Sequence, residues 1–112
     1  MSVLFVNNLQ EFNNIIQNDQ YVAVMFSAGF CNPCKDIFPF ICEQAEKNTD
    51  IKFIKVDIQE GCDISDIYNI QSIPHFKFFK NNSELVSFSG ANKQFIKDSI
   101  EKIKCDEPIL DN

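Results

Sequence analysis

The segment Phe30-Cys31-Asn32-Pro33-Cys34-Lys35 sets two thiols three positions apart beside a proline. Cysteines so spaced can cycle between dithiol and disulfide, supply half of a zinc site, or simply pack. Only a thiolate attacks well, and a free cysteine has a pKa of about 8.5. At the start of a helix the unpaired N–H groups and the positive dipole end favour negative charge on sulfur. An apolar run ends just before this pair and a helical pattern follows it, so Cys31 is expected to be the attacking thiol. Cys34, in the first turn on the apolar face, is expected to be more buried and to resolve a mixed disulfide. Pro33 suits a first turn, where its missing N–H costs nothing. Zinc as a rule needs four ligands, and Cys42, Cys62, Cys105 and His75 offer no second closely spaced pair, so no metal is expected.

The elements that must position these thiols can be read from periodicity. Val3 to Val6 is a short apolar run, and Asn8 can cap a helix carrying Leu9, Phe12, Ile15 and Ile16 on one face. Tyr21 to Phe26 is near-continuously apolar and too short for a helix, as a strand covered on both faces would be. Cys34, Phe38, Ile41, Cys42 and Ala45 then share a helical face through about Asn48, with Pro39 inside the pattern removing one ladder bond. Ile51 to Asp57 reads as a strand, and Ile64 to Tyr68 as a short helix after Gly61. His75 to Lys80 and Glu84 to Phe88 flank the polar turn Asn81-Asn82-Ser83 as a hairpin. Asn92 can cap a last helix, carrying Phe95, Ile96, Ile100 and Ile103 inward to about Lys104. The order βαβαβα then ββα predicts an α/β fold with a mixed sheet and helices on both faces.

The chain has 112 residues, 45% of them apolar, including 12 phenylalanines, enough for one core. One domain over 1–105 and a short polar tail over 106–112 are expected. The net charge of −6, with ten lysines and no arginine, argues against nucleic acid or an anionic membrane as partner. No leader-like segment or membrane-span-length apolar run is present, which predicts a cytoplasmic protein. Five cysteines without framework-like spacing argue against a structural disulfide scaffold.

Several segments together resemble the thioredoxin family, of the eukaryotic cytosolic kind, over about residues 3 to 104. They are Phe26-Ser27-Ala28, Cys31-x-Pro33-Cys34-Lys35, Pro39-Phe40, Val56-Asp57, Ser72-Ile73-Pro74 and Phe88-Ser89-Gly90-Ala91-Asn92. The resemblance implies a five-stranded mixed sheet flanked by four helices, and dithiol–disulfide exchange on protein substrates. It also implies no bound cofactor beyond the redox-active disulfide, with electrons reaching it from NADPH through a reductase. Carried over by position, Cys31 resembles the attacking cysteine, Cys34 the resolving one, and Pro74 a cis-proline facing them. Phe30, Asn32, Pro33, Ile73, Pro74 and Gly90 would then line the substrate groove, with the Ile73 backbone pairing to a substrate peptide. Taken alone, without the resemblance, Pro74 reads as a trans proline at a strand start.

The chain departs from that pattern in places that bear on rate. Phe30 stands where the family has tryptophan and Asn32 where it has glycine. Asn32 is either a donor to the Cys31 sulfur or a solvated first-turn residue. Met25 replaces a buried aspartate thought to help deprotonate the resolving thiol, which implies slower resolution or a substitute base. Lys55 can tune the thiols or be solvated at its tip. His75, in place of threonine, can titrate near the cysteines or be a packed strand residue. Cys42 reads as packing. Cys62 and Cys105 read as exposed thiols, regulatory or without role. The rival functions are a thioredoxin-fold adaptor with slowed chemistry, and an oxidase or isomerase using the same pair.

Overall fold

The computed structural model describes residues 2–105, and the expected tail over 106–112 lies outside the described residues. In chain order the elements are β1 (Val3–Phe5), α1 (Leu9–Asn18), β2 (Tyr21–Ser27), α2 (Asn32–Lys47), β3 (Lys52–Asp57), α3 (Cys62–Ile67), β4 (His75–Lys80), β5 (Ser83–Ser89) and α4 (Lys93–Lys104). They form one five-stranded sheet in the order β1-β3-β2-β4-β5. The first three strands are parallel, β4 runs antiparallel to β2, and β5 closes the edge as the second arm of a hairpin. This is the mixed α/β architecture expected from the order of the elements.

The apolar run of β2 is buried because both of its faces are covered. Ala23 and Met25 point into a cluster with Phe53, Phe76, Phe78 and the inner faces of α2 and α4. Val22, Val24 and Phe26 point the other way, into a cluster with Ile54, Val56, Phe79 and residues of α1 and α3. Strand alternation thus splits one run between two cores. Each fully buried side chain of this size contributes about 1.5–3 kcal/mol.

Local chemistry sets the element ends. Asn8 and Asn92 accept the Glu11 and Phe95 N–H groups at 2.9 and 3.0 Å, capping α1 and α4 as expected. Asn81 and Asn82 both have left-handed φ, 51° and 69°, the conformation of a two-residue hairpin turn that asparagine tolerates. Ser83 therefore opens β5 and is not part of the turn. α2 runs on through Pro39.

Two expectations about helix faces need correction. Phe95 is not inward: it is 53% exposed, and its ring meets Phe88 of β5 in a T-shaped contact at the margin of the core. The buried stripe of α2 is Cys34, Ile37, Ile41, Gln44 and Ala45, with Phe38 and Cys42 only partly covered at its margin.

Candidate active site

The end of β2 delivers the chain to the cysteines through one tight turn. Cys31 N–H donates to the Ala28 carbonyl at 3.2 Å, and α2 begins at once, with Lys35 N–H on the Cys31 carbonyl at 3.2 Å. Cys31 is the N-cap of α2, and its sulfur accepts the Cys34 N–H at 3.2 Å. A side-chain atom accepting that N–H is where a cap residue normally puts an oxygen. Here the acceptor is sulfur, in place to be stabilised as a thiolate by the helix N-terminus. No acidic residue stands in the first turn of α2 to oppose this.

Cys31 and Cys34 are joined as a disulfide, their Cα atoms 5.3 Å apart. Cys31 is 7% exposed and Cys34 3%, so the first thiol is the more accessible, as its place before the helix predicts. Pro33 sits in the first turn, and Asn32 is exposed; the Cys31 sulfur takes its hydrogen bond from the Cys34 backbone N–H and not from Asn32. Phe30 stands next to Cys31 at 68% exposure, an uncovered aromatic ring on the rim.

Across the sheet end, the Ile73–Pro74 bond is cis, Pro74 is buried and Ile73 half-buried. The Pro74 carbonyl accepts the Gly90 N–H at 2.8 Å, which ties this segment to the end of β5. Gly90 has φ 108°, a conformation that L side chains rarely adopt.

Met25 is 2% exposed and shares the apolar cluster of Cys31 and Cys34. Its cross-strand neighbours are Lys55 and Phe76. Lys55 stands on the same face of the sheet, with its ammonium 4.9 and 4.5 Å from the ring centres of Phe5 and Phe38. Together with Lys35, Asp57 and Cys34 it lines a groove of about 280 Å³ that opens beside the buried thiol. The Phe5 and Phe38 rings that hold this ammonium were not foreseen. Their only sequence signal is an aromatic at each of two positions that also fit the core pattern.

His75 is placed elsewhere. β4 alternates, so Phe76 and Phe78 face the cysteines' cluster, and the imidazole stands on the opposite face, its ring 6.3 Å from that of Phe26. The packed-strand reading describes it, and tuning of the cysteines by a nearby imidazole does not. Burial, reinforced by the Lys77 ammonium and opposed by Glu84, holds the imidazole below its ordinary 6.5.

Of the remaining thiols, Cys42 is half-buried against the core, while Cys62 and Cys105 are exposed at the ends of α3 and α4. Burial first, then Glu46, pushes the Cys42 pKa up, with Lys55 opposing. Among the described residues no cluster of His, Cys, Asp and Glu is arranged to hold a metal, and no helix is long and apolar enough to cross a membrane.

Comparison with known proteins agrees with this geometry. The family profile described as Thioredoxin matches residues 3–102. Thioredoxin 1 of Plasmodium falciparum is 41% identical over 100 residues, covering 89% of this chain and 96% of its own. The thioredoxin of Ophiophagus hannah is 37% identical over 102 residues, covering 89% and 97%. The solution structure of oxidised thioredoxin from Plasmodium falciparum superposes with a TM-score of 0.82 at 41% identity, over 89% of this chain and 96% of that one. A disulfide at the N-terminus of α2, on this fold and among these relatives, makes the chain a dithiol–disulfide oxidoreductase, and it belongs to the thioredoxin family.

Proposed function

We propose that the chain reduces disulfides in other proteins in the cytosol, with Cys31 attacking and Cys34 resolving. The observation that carries this reading is the Cys31 sulfur at the helix N-terminus, accepting a backbone N–H at 3.2 Å beside an uncovered phenylalanine. The Cys31 thiolate attacks one sulfur of a substrate disulfide, forming a mixed disulfide and expelling a thiolate that takes up a proton. Cys34 then gives up its proton and attacks the Cys31 sulfur. That closes the Cys31–Cys34 disulfide and releases the second substrate thiol. Two electrons have passed to the substrate. They are restored from NADPH through a thioredoxin reductase, so the chain needs no bound cofactor of its own.

Phe30, Asn32, Pro33, Ile73, Pro74 and Gly90 form the surface that meets the substrate. Phe30 gives apolar contact without the hydrogen-bond donor of an indole. Because Met25 cannot accept a proton, the base for Cys34 is the departing substrate thiolate or water entering the groove beside it. Lys55, held between Phe5 and Phe38, adds positive charge there and favours the Cys34 thiolate.

The test is reduction of a disulfide-bonded protein, first with dithiothreitol and then with NADPH and a thioredoxin reductase as donor. Turnover with both is expected. Turnover with dithiothreitol alone would remove the reductase from the scheme, and turnover with neither would leave a thioredoxin-fold adaptor.

A further inference from the structure

The one histidine lies where the redox chemistry does not use it, yet it is bonded at both nitrogens. His75 Nδ1 is 2.8 Å from Ser89 Oγ, and Nε2 is 2.9 Å from Ser87 Oγ. Ser89 Oγ is in turn 2.7 Å from Ser72 Oγ, the residue immediately before Ile73 and Pro74. At the other end, Ser87 Oγ accepts from Lys77 Nζ at 3.1 Å, and that buried ammonium also pairs with Glu84 at 3.1 Å. A continuous chain of polar groups thus runs from the Lys77–Glu84 ion pair, whose ammonium is buried, to the segment that holds the cis-proline.

Its polarity follows from what each group can do. An ammonium only donates, so Ser87 Oγ accepts from Lys77 and its single O–H is free to donate to Nε2. A neutral imidazole that accepts at Nε2 carries its hydrogen on Nδ1 and donates it to Ser89, whose O–H passes on to Ser72. This tautomer is assigned from the network, as the arrangement in which each donor from Lys77 to Ser89 has an acceptor along the chain. The Gly90 N–H on the Pro74 carbonyl, at 2.8 Å, is a second link between the same strand end and the same segment.

We propose that His75 is a positioning residue: through Ser89 and Ser72 it holds the Ile73–Pro74 segment against the end of β5, so that the backbone offered to an extended peptide of a protein substrate is set before the substrate arrives. For its consequence, though not for its geometry, this rests on the reductase reading of Cys31 and Cys34. Preordering lowers the cost of binding only for a substrate that touches the ordered segment. It therefore favours protein disulfides over small ones.

The charged and titratable groups around the imidazole are Lys77 on its own strand, Glu84 on β5, and Tyr68 after α3, whose ring packs on the same Phe26; β2 itself contributes only that phenyl ring. Protonation makes Nε2 a donor aimed at an oxygen already taking a proton from Lys77, and it adds a second positive charge beside that ammonium. The Ser87 O–H then has no acceptor at Nε2 and the two cations repel, so the chain is weakened at Ser87 and the segment loosens in acid.

Ser89→Ala removes the middle link and leaves His75 and both cysteines in place. Amide hydrogen exchange over residues 70–73 reads the clamp without any turnover, and it should quicken roughly three- to tenfold, the range one neutral hydrogen bond sets. In reduction assays the KM for a disulfide-bonded protein should rise by a similar factor, with kcat and the rate on a small aromatic disulfide as in the unmodified protein. Ser72→Ala should match it, and the double variant should lose no more than either single one. As pH falls past the ordinary 6.5 and through the lower folded value of His75, the KM for the protein substrate should climb in the unmodified protein and stay flat in Ser89→Ala. Unchanged exchange in Ser89→Ala overturns the clamp, and faster exchange with an unchanged KM overturns its role in substrate positioning. If the unmodified protein reduces neither substrate, the reductase reading falls instead, and the exchange measurement still decides the clamp.

Discussion

Replacing Met25 with aspartate puts a carboxyl where the sheet excludes water. Met25 is 2% exposed, in one apolar cluster with Cys31, Cys34 and Phe76. Losing its packing costs about 2–4 kcal/mol, on the scale of other truncations of buried methionine. Burying the polar replacement brings the total to roughly 4 kcal/mol even when the acid is neutral. For a domain of this size that lowers Tm by roughly 15–25 °C. A further part depends on pH. Burial raises the acid's pKa above its ordinary value of about 3.9, so the folded state keeps a proton that the unfolded state releases. The variant is then most stable below about pH 3.9 and loses about 1.4 kcal/mol per pH unit up to the raised pKa, with the cross-strand Lys55 narrowing that window. Met25→Leu is the reference, with a cost below about 1.5 kcal/mol and no pH slope from this site. Denaturant unfolding across pH measures both. Where Met25→Asp remains folded, the new carboxyl can take the Cys34 proton, and the mixed disulfide should decay at least about tenfold faster while its formation changes little. Equal stability at acid and neutral pH would refute the burial argument. An unchanged decay rate in folded protein would refute the claim that Cys34 lacks a side-chain base.

Three other outcomes are expected. The His75 imidazole is held below its ordinary 6.5 in the folded chain, so the unfolded state takes up its proton first. Its contribution to stability is present above about pH 6.5 and is lost as pH falls through the lower folded value. Urea unfolding should show this slope in the unmodified protein and not in His75→Thr. Gly90→Ala meets no atom within 4 Å, so its cost of about 1–2 kcal/mol comes from the φ of 108° alone, and thermal unfolding measures it. In the reduced protein, brief alkylation near neutral pH should label Cys31 first and Cys42 later than the exposed Cys62, since burial and Glu46 hold the Cys42 thiol protonated; peptide mapping reads the order.

Element order was legible because its signals are local. Asparagine caps, the Asn81–Asn82 turn and the run of β2 each act within a few residues of themselves. The position of Cys31 before a helix was legible for the same reason, as was the depth of Cys34 within the first turn. What was not legible depends on partners far away in sequence. Phe95 fits the inward pattern of α4, but whether it is covered depends on how far the β4–β5 hairpin reaches, and Phe88 meets only its edge. Ile37 and Phe38 are adjacent on one helix, and the way α2 lies over the sheet decides which is buried. His75 is next to Pro74, and nearness in sequence suggested nearness to the cysteines. Strand alternation puts it on the other face, where its partners come from β5 and from the segment before Pro74. Nothing local marks those serines.

The central claim is that Cys31 is the attacking sulfur and Cys34 the one that resolves. It is tested most directly by incubating reduced Cys34→Ser with a disulfide-bonded protein and mapping the covalent adduct by mass spectrometry after acid quench. The account predicts a stable mixed disulfide at Cys31, absent from Cys31→Ser and short-lived in the unmodified chain. An adduct at Cys62 or Cys105 with Cys31 free, or no adduct while the unmodified protein still reduces the substrate, would contradict it.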